Sequence, residues 1–174
     1  MYSSVQTITI DEDNPKYVTD GKCIFTGENN KTLVTLVPTF RGEFVVPSFV
    51  QDIYEGCFRS CHVTSIVFHD NVVSIGAWAF AATDLTSLQF PQKITVVKND
   101  MFRNCPNLLY VNLSSKTTII ETRAFKGSSN MVSLEFPPTL ETIGEGAFAD
   151  CQKLVIDLSK NENIGCPKVC LAQT

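Results

Sequence analysis

The sequence predicts a mainly β solenoid, in which short parallel strands stack from repeats of about 22 to 23 residues. A phenylalanine recurs at intervals of 22, 22, 23 and 23 residues, at Phe58, Phe80, Phe102, Phe125 and Phe148. Apolar residues recur in register around each phenylalanine, with an aliphatic residue five positions before it and an alternating apolar pair after it. A unit of this length cannot bury its own apolar face, so its copies must stack on one another.

The first element of each repeat is a short strand. Leu85 to Phe90 reads Leu-x-x-Leu-x-Phe, and Leu88 and Phe90 alternate with Gln89. This period of two predicts that the two apolar side chains point into the core and that Gln89 points outward. In three repeats a proline follows the strand, where it removes a backbone donor and turns the chain out of the sheet: Pro47, Pro91 and Pro137.

Two further elements complete each repeat. A second apolar pair, such as Ile94 and Val97, predicts a second short extended segment. The pair Ala79-Phe80 comes next, and a small Cys, Thr or Ser follows the phenylalanine by three residues in every repeat. Because alanine has a high helix propensity, we expect a short helical turn here, on the other side of the coil from the strand.

These residues resemble the BspA-type (Treponema-like) leucine-rich repeat. The resemblance rests on Leu85 to Pro91 and on Ile143 to Cys151, which reads Ile-Gly-x-x-Ala-Phe-x-x-Cys. Residues 8–38 resemble the hairpin-bearing unit that often precedes such repeats. The resemblance implies a leucine-rich-repeat solenoid that binds a protein partner without catalysing a reaction, in surface adhesion or host-protein recognition by bacteria or parasitic protists.

A cytosolic scaffold or regulator of a signalling enzyme is the alternative function. An odd number of cysteines, seven, favours this alternative. So does the N-terminus, which lacks the basic and apolar regions of a secretory signal. The location therefore stays open between the cytoplasm, non-classical surface exposure and the cell surface that the resemblance favours.

The ends of the chain differ from the repeats. Thr7 to Ile10 alternates like a first strand, and Lys22–Phe25 and Thr32–Val37 are expected to pair as a hairpin. This hairpin would cap the first open edge of the solenoid. The C-terminal end is less well covered, which leaves an edge-to-edge contact between two copies open. The expected division of the single domain is 1–43 for the cap, 44–158 for five repeats and 159–174 for a degenerate C-terminal cap or tail.

Composition excludes several classes of function. The chain has 174 residues, 44% of them apolar, and a formal net charge of −4, so there is no global electrostatic argument for binding nucleic acid. No apolar run approaches the length of a membrane span.

The cysteines and histidines predict no reactive site. Four of the seven cysteines occupy inward repeat positions, where thiols behave as small apolar groups: Cys57, Cys61, Cys105 and Cys151. A disulfide between Cys166 and Cys170 or a metal site are the weaker alternatives. Neither His62 nor His69 is accompanied by a nucleophile motif. We therefore predict no catalytic residue, no metal site and no cofactor.

The outward side chains of the strands predict where a partner binds. Along the stack one outward column changes from valine to polar and then acidic residues, and Tyr110 lies in the neighbouring column, near the middle of the sheet face. The predicted partner-binding residues are Val67, Gln89, Tyr110, Asn112, Glu135 and Asp157. An alternative surface lies on the outer turns and includes the only tryptophan, because tryptophan and arginine are frequent interface anchors: Trp78, Arg59, Arg103 and Lys126.

Overall fold

Each coil contributes one strand to each of two faces, on each of which the strand ladder is interrupted once, and the apolar side chains of both faces pack into one continuous core. The computed structural model describes residues 5–161 and residue 164. The predicted mainly β solenoid of stacked parallel strands is confirmed.

The described chain begins with three antiparallel strands, β1 (Tyr17–Thr19), β2 (Cys23–Thr26) and β3 (Thr32–Leu36). The predicted hairpin is confirmed, and a single 3₁₀ turn at Glu28–Asn30 connects β2 to β3. The predicted strand at Thr7 to Ile10 is wrong. In this segment the backbone amide of Ile8 donates to the Gly21 carbonyl, and a single bond of this kind does not form a β-ladder.

The remaining ten strands alternate along the chain between the two sheets. They are β4 (Arg41–Val45), β5 (Asp52–Ile53), β6 (His62–Val67), β7 (Ser74–Ile75), β8 (Ser87–Gln89), β9 (Val96–Val97), β10 (Tyr110–Asn112), β11 (Ile119–Ile120), β12 (Ser133–Leu134) and β13 (Thr142–Ile143). The even-numbered strands form the face that we call the front sheet, and the odd-numbered strands from β5 form the back sheet.

All pairs between coils are parallel. In the front sheet β4 pairs with β6, and β10 lies between β8 and β12. In the back sheet β5 lies between β3 and β7, and β11 lies between β9 and β13. Because β3 pairs with β5, the N-terminal hairpin covers the first edge of the back sheet. Covering an edge in this way removes unpaired backbone groups that could template aggregation.

At the other end, the last coil bonds weakly to its predecessor. Val155 forms an isolated bridge with Ser133, and the side chains of Leu158 and Ile164 pack partly against the core. Most of the predicted C-terminal cap lies outside the described residues. The domain division at residues 43 and 158 and the contact between C-terminal edges stay predictions.

The outer turns join the back sheet to the next front strand, at residues 54–60, 76–82, 98–104, 121–127 and 144–150. The predicted helical turns are not found there, since these segments are tight turns without helix. Trp78 and Ala82, two residues before and after Phe80, have φ of 59° and 57°, a left-handed conformation that interrupts a helix. The amide of Phe80 consequently bonds to the Met101 carbonyl of the next coil at 3.0 Å.

The recurring phenylalanines form a stacked ladder through the core. Consecutive rings lie 5.7, 5.1, 5.0 and 5.5 Å apart between centroids, with interplanar angles of 28° or less. A strand phenylalanine contacts the ladder edge-on in several coils, as Phe90 does against Phe102 at 5.9 Å. Both arrangements are favourable for aromatic pairs, so the ladder adds specific geometry to a large apolar burial.

The small residue three positions after each ladder phenylalanine is a hydrogen-bond donor. Cys105 Sγ donates to the Phe80 carbonyl at 3.0 Å, and Ser128 Oγ donates to the Phe102 carbonyl at 2.7 Å. Cys151 makes the equivalent bond to Phe125 at 3.1 Å. In these three coils the donor satisfies a buried carbonyl of the preceding coil, whereas Thr83 Oγ1 donates to the Phe80 carbonyl of its own coil at 2.8 Å, so the position holds a donor and not merely a small apolar group.

The five cysteines in the described part of the chain are buried and free: Cys23, Cys57, Cys61, Cys105 and Cys151. The four inward thiols predicted from the repeat are among them, whereas Cys166 and Cys170 lie outside the described residues. Burial raises the pKa of the Cys151 thiol to about 12, because the apolar interior disfavours the thiolate. It raises the pKa of the Cys57 thiol well above its ordinary value for the same reason.

Phe102→Ala should lower the free energy of unfolding by about 3–5 kcal/mol, because it removes a fully buried ring from the centre of the ladder. Urea denaturation followed by circular dichroism measures this loss. Tyr54→Ala is the matched control, since the Tyr54 side chain is 58% exposed and its removal should cost less than about 1 kcal/mol. Equal losses for the two variants would contradict the ladder as the centre of the core.

Ser128→Ala should cost about 1–3 kcal/mol, because it leaves the Phe102 carbonyl without the hydroxyl donor in a buried position. Ser128→Cys should cost clearly less, since the equivalent Cys105 and Cys151 donate in the same way. Urea midpoints of the two variants decide between them. If Ser128→Cys is as damaging as Ser128→Ala, the position selects for size and not for a donor.

Stability should fall as the pH rises above about 9. The Cys151 thiol stays neutral in the folded chain up to its raised pKa but ionises near 9.0 in the unfolded chain, so its contribution is complete below pH 9 and is lost between 9 and 12. Unfolding free energies at pH 7 and pH 10 measure the fall. In Cys151→Ser, which keeps a donor that does not ionise, the fall should be smaller by roughly 1 kcal/mol. An unchanged fall would contradict the buried neutral thiol.

Candidate functional site

The front sheet presents its outward side chains in regular columns. The parallel register places Asn112 opposite Gln89, with Glu135 following β12 in the next coil. All six residues predicted to bind a partner are exposed: Val67, Gln89, Tyr110, Asn112, Glu135 and Asp157. Their outward orientation agrees with the sequence analysis, and their part in binding stays a prediction.

Two adjoining clefts run along the ends of the front strands. One, of about 570 Å³, lies beside Asn112, Glu135 and Asp157, and the other, of about 510 Å³, lies beside Val67. The clefts share Gln89 and Gln92 on their borders, and we call the two adjoining clefts together the front groove. A groove of this size can hold an extended segment of several residues.

Sequence analysis missed the residues that form the far wall of the front groove. Gln92, Ser115, Pro138 and Lys160 line it, and each lies in the turn that follows a front strand. The aligned prolines after the strands were the available signal, since they show where each chain segment turns away from the sheet. The repeat spacing alone did not show that these turns lie beside the outward side chains of the front strands.

Tyr110 lies outside the front groove, at the start of β10. Its neighbours in the register are Ser87 on one side and Ser133 on the other. Because both neighbours are small, the Tyr110 ring projects above them and is 46% exposed. An exposed aromatic ring flanked by hydroxyl groups can contribute both apolar contact and a hydrogen bond to a partner.

One outward column of the front sheet changes from apolar to acidic along the stack. Val45 and Val67 are 61% and 45% exposed at the N-terminal end, whereas Glu135 and Asp157 lie at the other end. Hydrogen bonds from Ser159 lower the pKa of the Asp157 carboxyl, which keeps this group ionised at neutral pH. The two ends of the front groove therefore differ in the kind of side chain that they favour.

The outer turns carry the alternative set of predicted residues. The Trp78 ring lies between two guanidinium groups, with Arg59 4.9 Å and Arg103 5.5 Å from its centroid. Arg103 also bonds to the buried Asp100 at 3.2 Å. Lys126 stands apart from this stack, 3.9 Å from Asp150. The structure thus brings three of the four predicted outer-turn residues together and leaves Lys126 in a separate ion pair.

The histidines and the nearest thiol do not form a catalytic arrangement. His62 Nδ1 lies 2.8 Å from the Asp84 carboxylate, whereas Cys61 Sγ points at the Leu36 carbonyl at 3.6 Å. His69 Nε2 lies 2.9 Å from the Pro47 carbonyl. Among residues 5–161 and 164, no cluster of three or more His, Cys, Asp or Glu side chains could hold a metal ion.

No helix in the described part of the chain is long and apolar enough to cross a membrane. A search of the curated proteins finds no match.

Solved bacterial structures share this fold. A leucine-rich cell surface protein of Faecalibacterium prausnitzii superposes with a TM-score of 0.78 at 24% identity, over 88% of this chain and 43% of its own. A leucine-rich repeat protein of Eubacterium ventriosum gives a TM-score of 0.71 at 20% identity, over 95% of this chain and 51% of its own. The pneumococcal vaccine antigen PcpA gives 0.60 at 20% identity, over 76% and 36%. This chain therefore spans about half or less of the length of each.

The repeat itself is shared with a defined family. Residues 42–161 match the BspA type leucine-rich repeat region in six copies, one more than the five ladder phenylalanines. Six copies agree with the six outward positions of the front sheet, one in each coil, of which the first is Val45 on β4 and the last is Asp157. Leucine-rich-repeat families are generally non-enzymatic binding modules, and this membership supports a protein-interaction role. The chain belongs to the BspA-type leucine-rich repeat family.

Proposed function

We propose that this domain recognises a protein partner through its front sheet, with an extended segment of that partner lying in the front groove. One observation carries the proposal: an outward column of the front sheet is exposed and lines two adjoining clefts, at Val67, Gln89, Asn112, Glu135 and Asp157. Family membership supports a binding role and adds no information on which surface is used.

The rigidity of the front sheet supports high affinity for a partner. Its strands are held by parallel ladders, and the side chains beneath them, such as Leu88 and Val111, are buried in the core. Binding to a rigid surface orders few additional groups, so less of the interaction energy is lost to conformational entropy. A protein surface or an extended segment can therefore bind without remodelling the domain.

The partner segment is expected to be apolar at one end and basic at the other. Val45 and Val67 offer exposed apolar surface at the N-terminal end of the front sheet. Glu135 and Asp157 favour Lys or Arg at the opposite end, where charge complementarity would fix the orientation of the segment. Because these carboxylates are exposed, their contribution should weaken as salt is added.

We place this recognition at the cell surface, in adhesion or in binding of a host protein. The F. prausnitzii protein with the same fold is described as a cell surface protein, which supports this placement. The second candidate is a cytosolic scaffold or regulator of a signalling enzyme, favoured by five buried cysteines that are free. Thiols that stay reduced are typical of reducing compartments.

Tyr110→Ala should reduce affinity for the partner by about 1–3 kcal/mol, because it removes an exposed aromatic anchor at the middle of the front sheet. The immobilised domain captures partners from an extracellular matrix extract and from a cytosolic extract. Titration calorimetry then compares wild type with variants for each captured protein. Recovery from only one of the two extracts also decides between the surface and cytosolic candidates.

Lys126→Ala is the control, since this residue lies on an outer turn in a separate ion pair. It should leave affinity within about twofold of wild type, and both variants should keep the wild-type urea midpoint. A partner that binds the Tyr110→Ala variant with normal affinity but no longer binds the Lys126→Ala variant would refute recognition by the front sheet.

A further inference from the structure

We propose that the outer turns carry a second binding site, formed by Arg59, Trp78 and Arg103, that takes an acidic peptide segment with two carboxylates on one side. This site lies on the outer turns and shares no residue with the front groove, so the inference does not rest on the proposed function.

The stack of three side chains crosses three successive coils. Arg59 follows the ladder residue of one coil, Trp78 precedes that of the next, and Arg103 follows that of the third. The guanidinium carbons lie 4.9 and 5.5 Å from the indole centroid. Attraction between a cation and the ring restrains both guanidiniums, so each loses less side-chain freedom when it binds an anion.

The arginines of the stack are paired with few carboxylates. Arg103 shares the single carboxylate of Asp100 with Arg123, at 3.2 and 3.4 Å. Among the described residues the Arg59 side chain has the Trp78 ring as its only partner and makes no ion pair with a carboxylate. The two arginines of the stack therefore have one ion-paired carboxylate between them, and a third arginine shares it.

The left-handed backbone at Trp78 is shared by the equivalent position of every outer turn, but the bulky side chain there is not. Trp78 has a φ of 59°, and the equivalent residues are Gly56, Asp100, Arg123 and Gly146, with φ of 64°, 52°, 56° and 58°. A bulky residue is rare in this left-handed region, where glycine has no steric cost. The tryptophan therefore costs stability at a position where glycine suffices, and what it adds there is the stack with the two arginines.

The dimensions of the site suit an acidic peptide. A cleft of about 260 Å³ lies beside the stack, and Ser60 and Asn104 provide polar groups on its border. Arg59 and Arg103 lie at most about 10 Å apart, because each is about 5 Å from the same indole. In a polyproline II segment, residues i and i+3 lie on one side and about 9 Å apart. Two glutamates at this spacing can each meet one guanidinium, whose planar N–H donors match a carboxylate.

Ligands that stack on an aromatic face are disfavoured. Two guanidiniums already lie over the Trp78 ring, so a nucleobase or a sugar ring would compete with them for stacking on it. The attraction that remains is between the free N–H donors and an anionic group. Carboxylates on a flexible peptide reach both arginines, which favours a peptide over a stacked ring.

The only tryptophan of the chain makes this site directly observable by fluorescence. The probes are the capped peptide Pro-Glu-Pro-Pro-Glu-Pro, its counterpart with both glutamates changed to glutamine, and a sulfated disaccharide. The glutamate peptide should change Trp78 emission saturably at low salt, and the glutamine peptide should not. Arg59→Gln should weaken the glutamate peptide by about tenfold or more, equivalent to about 1.4 kcal/mol. Arg41→Gln, a control at an exposed arginine on β4, should not change the affinity.

This test is independent of the test of the front sheet, because the Tyr110→Ala variant should bind the glutamate peptide with wild-type affinity. Urea midpoints establish that each variant is folded. Equal binding of the two peptides, unchanged affinity in Arg59→Gln, or no saturable change up to millimolar peptide by fluorescence and calorimetry would each overturn the proposal. Tighter binding of the sulfated disaccharide than of the glutamate peptide would overturn it in favour of an anionic saccharide.

Discussion

The backbone hydrogen bonds between successive coils are the interaction on which the rest of this structure depends. They run through the front sheet, the back sheet and the outer turns, where Phe58 donates to Ala79, and Phe80 to Met101, at 2.9 and 3.0 Å. A coil that bonds to its neighbour on three sides is held at the separation of adjacent β-strands. This separation matches the 5.0 to 5.7 Å spacing of the ladder phenylalanines, so backbone and core impose the same repeat distance.

The fixed separation explains why different residue types can serve one repeat position. Turns after the front strands are tied to the preceding coil by His69 Nε2 at the Pro47 carbonyl, by Ser114 Oγ at the Gln92 carbonyl and by Asn161 Nδ2 at the Pro137 carbonyl, each at 2.9 Å. The chemical requirement is a polar side chain that reaches a carbonyl one coil away, and several side chains meet it.

The close spacing of the coils also excludes side chains larger than hydrogen from some positions. A Cβ at Gly76 would lie 2.5 Å from the backbone nitrogen of Glu55, so this position of the second coil tolerates no side chain without a backbone shift. On the outer turns the constraint acts through φ instead, because each turn carries two left-handed residues four positions apart, and the amides of these residues and of the phenylalanine midway bond to the next coil. Most coils place small or polar residues there, and Trp78 is the exception around which the arginine stack is built.

The period of 22 to 23 residues determined the solenoid, its inward columns and the outward orientation of residues such as Gln89 and Glu135, because period-two alternation specifies which side chains are buried. The hairpin at Cys23 to Leu36 was also readable, since turn residues separate two apolar runs. Tertiary structure alone decided the outer turns: alanine propensity favours a helix, but the amides bond to the next coil in a turn that carries two left-handed residues. It also decided the Trp78 stack and the far wall of the front groove, because both join residues of different coils whose contact depends on the coil spacing and not on local sequence.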